Sequence, residues 1–233
     1  MRIAIISDIH SNIAALERVF SYIDSINIDE IYCLGDLVGY GPFPDQCIDL
    51  IKSKSCTVIA GNHDYGAIGK IPLRNFSQVG RTALRWTKKN ICKENQEFLS
   101  DLPLKVVRND ITFVHASPFE PENWTYIFSN LEAKEAFKGF STSICFIGHT
   151  HIPSIVGEDL SLGRLHRNGR FIVNVGSVGQ PRDGNPKLSF GILDTDKLSY
   201  ELIRLDYDVQ KTIDAIEQFS LPSVLGRRLI YGI

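Results

Sequence analysis

The sequence predicts an α/β protein whose first half builds a largely parallel sheet and whose second half is mostly β. Three observations carry that expectation. Short apolar runs alternate with longer amphipathic ones through the first half. From about residue 153 onward, short β-like runs are separated by Gly, Pro and Asn. Several apolar runs also end in Asp, Asn or His, at the place where open α/β sheets bind ligands.

Taken in order, "RIAIIS" reads as a buried strand. "NIAALERVFSYIDS" sets Ile13, Leu16, Val19, Phe20 and Ile23 on one helical face, with Ser11 or Asn12 as cap. "EIYCLG" is a second strand, "FPDQCIDLIKS" a second helix and "CTVIAG" a third strand. That rhythm predicts right-handed crossovers. Residues 76–101 read as helical with a break near "KEN", and "LKVVRND" and "ITFVHAS" read as a hairpin turning on Asn-Asp. A helix near 130–139 precedes the strand "SICFIGHTH". The β runs that follow are "IPSIVG", "RLHRNGRFIVNVGS" (with a hairpin turn at "RNGR"), "KLSFGILDTD" and "LSYELIRLDYD". The helix "VQKTIDAIEQF" and a frayed tail close the chain. No linker interrupts it, so a single domain over residues 1–233 is expected.

Bulk properties narrow the class. The chain is 43% hydrophobic and 22% charged, ordinary values for a soluble globular protein. Its net charge is −2, with no basic run to neutralise a nucleic-acid backbone and no polybasic amphipathic stretch for a membrane surface. No segment approaches the ~18 to 20 apolar residues that a membrane span requires. The opening "MRIAIISDIH" is too short for a signal peptide. Five cysteines, none in a CxxC pair, suggest reduced thiols and a cytoplasmic setting. The β-rich half offers an edge for a homodimer, although no pattern requires one.

The chemistry lies in the strand ends. "IAIISD" ends in Asp8, with His10 two residues on, and "IYCLGD" ends in Asp36. "TVIAGNHD" supplies Asn62, His63 and Asp64. "ITFVH" ends in His115, and "ICFIGHTH" supplies His149 and His151. Taken singly, each is an ordinary turn, cap or hydrogen-bonding residue. Together they include five of the six histidines in the chain, with only His166 outside the set. That coincidence points to a metal site. Carboxylates, an amide and imidazoles without thiolate suit Mn²⁺, Fe, Zn²⁺ or Co²⁺ better than Ca²⁺ or a structural zinc. The candidates are too many for one ion and suffice for two if one carboxylate bridges. Two divalent cations against two aspartates would leave a pocket of about +2, which attracts phosphate and acidifies a water.

The blocks "DIH", "GDLVGYGP", "GNHD", "FVHASP" and "GHTH", in this order, closely resemble the calcineurin-like binuclear metallophosphoesterase superfamily. "NVGSVGQPRDGNP" resembles its small bacterial and archaeal phosphodiesterase-like branch. The resemblance implies a four-layer α-β-β-α sandwich, two mixed sheets packed face to face with helices outside. It implies that Asp8, His10 and His151 hold one metal, that Asn62, His115 and His149 hold the other, and that Asp36 bridges, with Mn²⁺ favoured. His63 would then protonate the leaving alkoxide while hydroxide activated by the two metals attacks phosphorus.

Two departures matter. Where the protein-phosphatase branch has an Asp that orients the acid and an Arg that grips phosphate, this chain has Gly39 and Tyr40; Ala60 replaces a second arginine. Losing two guanidinium forks disfavours a phosphoprotein substrate. The expected substrate is a small phosphodiester, with a nucleotide as one form. Hydrolysis of a dinucleoside polyphosphate or a phosphomonoester is the enzymatic alternative, and a metal-containing binding or scaffold protein the non-enzymatic one. Arg182, in a Gly/Pro loop, is the candidate substitute for the missing arginines, and Gly176 and Gly179 are candidates for close backbone approach to a ligand. Tyr40 and Phe43 are expected to pack in the core or at the rim, with stacking on a base as the alternative.

Overall fold

The computed structural model describes residues 1–233. One sheet has the order β10-β9-β1-β2-β3, built from β1 (Arg2–Ile6), β2 (Glu30–Cys33), β3 (Thr57–Val58), β9 (Leu188–Asp194) and β10 (Ser199–Leu205). The other has the order β4-β5-β6-β8-β7, built from β4 (Lys105–Arg108), β5 (Ile111–Val114), β6 (Ile144–Ile147), β7 (Ser154–Gly157) and β8 (Phe171–Asn174). Both are mixed. β1, β2 and β3 run parallel, as do β5, β6 and β8, whereas β9 and β10 in the first sheet and β4 and β7 in the second pair antiparallel.

Side-chain alternation makes the layers. Ile3 and Ile5 of β1 face a core shared with Ile111 and Phe113 of β5, Ile144 and Phe146 of β6, and Phe171 and Val173 of β8. Across that seam Tyr32 stacks on Phe113, with ring centres 3.8 Å apart and planes inclined by 3°. The intervening residues Ala4 and Ile6 face the opposite way, toward α1 (Ile13–Ile23) and α2 (Pro44–Ser53). On the far side of the second sheet, Val114, Cys145 and Ile172 meet Ala136 of α6 (Asn130–Ala136). Helices thus cover both outer faces, giving the four-layer sandwich.

Most local expectations match the observed elements. Asn12 is the cap of α1, its side chain accepting from Ala15 N–H at 3.2 Å. The helical stretch 76–101 divides into α4 (Gln78–Asn90) and α5 (Lys93–Asp101), just ahead of "KEN". Asn109 and Asp110 both take positive φ in the β4–β5 turn.

Three expectations fail for identifiable reasons. β3 is only two residues long because the Ala60 N–H leaves the ladder and donates to the Pro103 carbonyl at 2.8 Å. "RNGR" makes no hairpin: neither Asn168 nor Gly169 takes positive φ, and β8 pairs instead with β7. The tail is ordered. After α7 (Val209–Gln218) a further helix, α8 (Ser223–Tyr231), buries Leu225 and Leu229 against Ile216, Leu221 and Tyr40. Their i, i+4 spacing forms one apolar stripe. Gly232, at φ 66°, caps the helix.

Candidate metal centre

The carboxyl ends of the parallel strands in both sheets meet at one place. Asp8 and His10 follow β1, Asp36 follows β2, His115 follows β5, and His149 and His151 follow β6. Asn62 and His63 open α3 (Asn62–Ile68), just past β3. Asp8, His10, Asp36, His149 and His151 all have positive φ, between 49° and 66°. Non-glycine residues seldom adopt this region, although Asp and His tolerate it better than most. Backbone bonds hold it in place: Asp8 N–H donates to Gly35 O at 3.0 Å and His10 N–H to Asp36 O at 2.9 Å.

Two groups of ligand-type atoms result, Asp8 with His10 and His151, and Asp36 with His115 and His149. Within each group the atoms lie within 4.8 Å of one another. The Nε2 atoms of His10 and His151 are 3.1 Å apart, and His115 Nε2 is 3.1 Å from His149 Nδ1. Asp36 Oδ2 lies between the groups, 3.6 Å from His10 Nε2 and 3.4 Å from His115 Nε2. Its Oδ1 is engaged elsewhere, accepting from His63 N–H at 2.8 Å.

The far nitrogen of each imidazole identifies what the near one offers. His10 Nδ1 meets Val38 O at 3.1 Å, His115 Nδ1 meets Leu34 O at 2.7 Å, His149 Nε2 meets Trp124 O at 2.9 Å, and His151 Nδ1 meets Gln180 O. A carbonyl only accepts, so those nitrogens carry the protons and the facing nitrogens present lone pairs. Lone pairs 3.1 Å apart repel unless a cation lies between them, and metal–nitrogen bonds of ~2.0 to 2.1 Å suit that spacing. Asp8 Oδ1 and Asn62 Oδ1 are buried with no hydrogen-bond partner, while Asp8 Oδ2 accepts from Ser7 Oγ–H and His149 N–H. The donor set therefore fits divalent cations.

Charge is distributed accordingly. Burial alone would raise the Asp8 and Asp36 carboxyls, but His151 and His115 beside Asp8, and His115 and His63 beside Asp36, outweigh it and hold both below the usual range. Burial would lower His115, yet the Asp36 and Asp8 carboxylates lift it to about 9, so His115 Nε2 carries a second proton at neutral pH until a cation displaces it and takes the lone pair. Burial, then His115, pushes His149 down to about 3.

His63 stands against an open cleft of 400 Å³ whose walls include Tyr40, Trp124, Tyr126 and Arg182. Its orientation comes from packing, not from a polar partner. Nδ1 is buried and unpartnered, and the ring lies 4.5 Å from Tyr40 and 5.1 Å from Phe76. A Cβ at Gly39 would come within 2.5 Å of that Nδ1, so the glycine makes room for the imidazole. Burial, opposed by Asp36 and reinforced by Arg182, lowers His63 to about 4.

Asp64, which follows His63 in the sequence, is a buried brace. It accepts from Asp36 N–H at 2.8 Å, Gly61 N–H at 2.9 Å and Val38 N–H at 3.2 Å, tying two ligand-bearing loops together. Arg182 reaches the cleft, and its N–H donates to His151 O at 3.3 Å. Phe43 points away, against Phe219, and His166 is exposed. Gly176 and Gly179 do not serve a ligand: side chains there would strike Ser189 and the Ile9 carbonyl, so these glycines permit close packing of the loop itself. The sequence offers no sign of the carbonyls of Val38, Leu34, Trp124 and Gln180 that fix the imidazoles, because every residue has one.

Comparison with known proteins places the chain in a family. The calcineurin-like phosphoesterase superfamily domain matches residues 1–198. An uncharacterized protein of Methanocaldococcus jannaschii is 41% identical over 240 residues, covering 99% of this chain and 98% of its own. Phosphodiesterase YfcE of Escherichia coli K12 is 27% identical over 209 residues, covering 85% of this chain and 90% of its own. The crystal structure of a metallophosphoesterase from Sphaerobacter thermophilus superposes with a TM-score of 0.88 at 38% identity, covering 100% and 99% of the two chains. With a sandwich that gathers aspartates and histidines from both sheets into one buried cluster, the chain belongs to the calcineurin-like phosphoesterase superfamily.

Proposed function

We propose that this protein hydrolyses small phosphodiesters with two divalent cations. The observation that carries the reading is the pair of lone-pair imidazole clusters facing one another across Asp36 Oδ2. Asp8, His10 and His151 would hold one cation, Asn62, His115 and His149 the other, and Asp36 would reach both. Such cations supply Lewis acidity and lower the pKa of a water toward neutrality. The mixed N/O donor set without thiolate suits Mn²⁺, Fe, Zn²⁺ or Co²⁺, and Mn²⁺ is the ion that the family resemblance favours.

The remaining work falls to the chain's own residues. As water oxygen bonds to phosphorus and the ester P–O bond breaks, His63 gives a proton to the departing alkoxide. Because burial leaves His63 neutral near pH 7, the bound phosphoester's own negative charge must raise its proton affinity for that step. Arg182 stands at the cleft wall, where its guanidinium is available to an anionic group of the substrate. The name of the Escherichia coli relative supports the diester reading.

Residues 1–233 are read as a single domain, supported by the packing of α8 on Tyr40. No helix is long and apolar enough to cross a membrane. Free cysteines support a reducing compartment such as the cytoplasm.

The test is an assay on protein stripped of metal and reloaded with Mn²⁺, comparing bis(4-nitrophenyl) phosphate with 4-nitrophenyl phosphate and using chelator as blank. Faster diester turnover that chelator abolishes is the expected result. A monoester preference would replace the diester reading, and no turnover of either substrate by metal-loaded protein would refute both.

A further inference from the structure

The cleft carries more positive charge than hydrolysis of a simple diester uses. Besides Arg182, a second arginine lines it: Arg228, in the last turn of α8 and beyond the region that the family match covers. None of the residues lining the cleft is Asp or Glu, and although Ile233 is among them, no carboxylate lies within 4.0 Å of either guanidinium. The Arg182 guanidinium makes one hydrogen bond, donating to Gln180 Oε1 at 3.0 Å, and its central carbon lies 5.6 Å from the centre of the Tyr40 ring. Both arginines are half-buried. A guanidinium withdrawn from water without an anion is costly, and its planar fork matches phosphate oxygens.

The segments bearing the two arginines are locked together. Gly184 N–H, in the Arg182 loop, donates to Gly232 O at 2.9 Å. Gly232 sits so close to that loop that a Cβ would come within 2.7 Å of the Asn185 carbonyl carbon. The Arg182 backbone is bonded to the His151 carbonyl, and Leu225 and Leu229 seat α8 on Tyr40. The backbone segments that carry the two arginines are therefore held against one another, and both residues line the cleft. Asn62, His63 and His149 line the same cavity.

We propose that Arg182 and Arg228 form a second anion subsite, which makes the preferred substrates esters or anhydrides with a second phosphate beside the one that is cleaved. The inference rests on the phosphoester reading above, which assigns the reacting phosphate to the imidazole clusters. A plain diester carries a single negative charge, which the cations already match. Two further guanidinium charges call for a second anionic group, and a cavity of 400 Å³ is within the usual range for a small-molecule site.

The test uses the Mn²⁺-loaded full chain and titration calorimetry with AMP and with α,β-methylene-ADP, whose bridging carbon resists hydrolysis. The diphosphate analogue should bind about tenfold more tightly than AMP. Arg228→Gln and Arg182→Gln should each weaken the analogue roughly tenfold more than AMP, as expected for a lost charge-assisted hydrogen bond, and Arg228→Lys should fall between. Equal weakening of both ligands, or an unchanged ratio in variants that melt as the parent does, overturns the subsite and leaves Arg228 as a charge complementing a helix end. Failure of the parent to cleave either bis(4-nitrophenyl) phosphate or 4-nitrophenyl phosphate would sink the phosphoester reading alone, because the binding ratio is read without turnover.

Discussion

Asp36 uses its two oxygens differently, and so does the site as a whole. Oδ1 is fixed by the His63 N–H and Oδ2 is left between the imidazole groups. Asp36→Asn should abolish activity and lower the metal content measured by elemental analysis; a full load with normal turnover would refute the bridging role. His63→Gln should keep both metals while turnover falls by ~10² to 10⁴, the usual cost of losing a general acid. Loss of metal from that variant would make His63 a ligand. The residue types that assemble here are legible in the sequence as strand-end Asp, Asn and His. What holds His63 is not. Gly39 reads in the sequence as a lost carboxylate, whereas in the fold it is the space that the imidazole occupies.

Between elements, Asn12 does the work of several residues. Beyond capping α1, its Nδ2 donates to Gly179 O at 3.0 Å and to Tyr207 Oη at 3.1 Å, and its Oδ1 accepts from Thr212 Oγ1 at 2.8 Å. Asn12→Ala removes a cap and strands buried polar groups, at a cost of about 3 kcal/mol. Thermal melting should drop by about 10 °C, a scale set by a chain of this length. A drop under ~3 °C would mean that water replaces these bonds. Elements with strong periodicity, such as α1 and β1, are legible in the sequence. α8 is not, because Gly226 interrupts its pattern and its stripe rests on only Leu225 and Leu229. "RNGR" misleads in the opposite sense, since its local turn preference yields to the pairing of β7 with β8.

Over the whole molecule, burial decides reactivity as well as stability. Burial raises the thiols of Cys33, Cys47 and Cys145 and lifts Cys56 to about 12, whereas Cys92 is exposed. A raised pKa means less thiolate at a given pH. Native protein at pH 8 should therefore react with a disulfide reagent quickly at one cysteine, and at all five only in denaturant. Slow labelling of Cys56 should speed up about tenfold per pH unit below its pKa. Two fast thiols in the native state would contradict the burial of the core. By itself the sequence determined the alternating α/β class, the polar strand ends and the family, because these depend on local periodicity and on short blocks in fixed order. The tertiary structure alone decided which strand ends meet, which imidazole nitrogen faces the centre and that Arg228 joins Arg182. Those features depend on backbone carbonyls and on the approach of segments far apart in the chain, which no local pattern records.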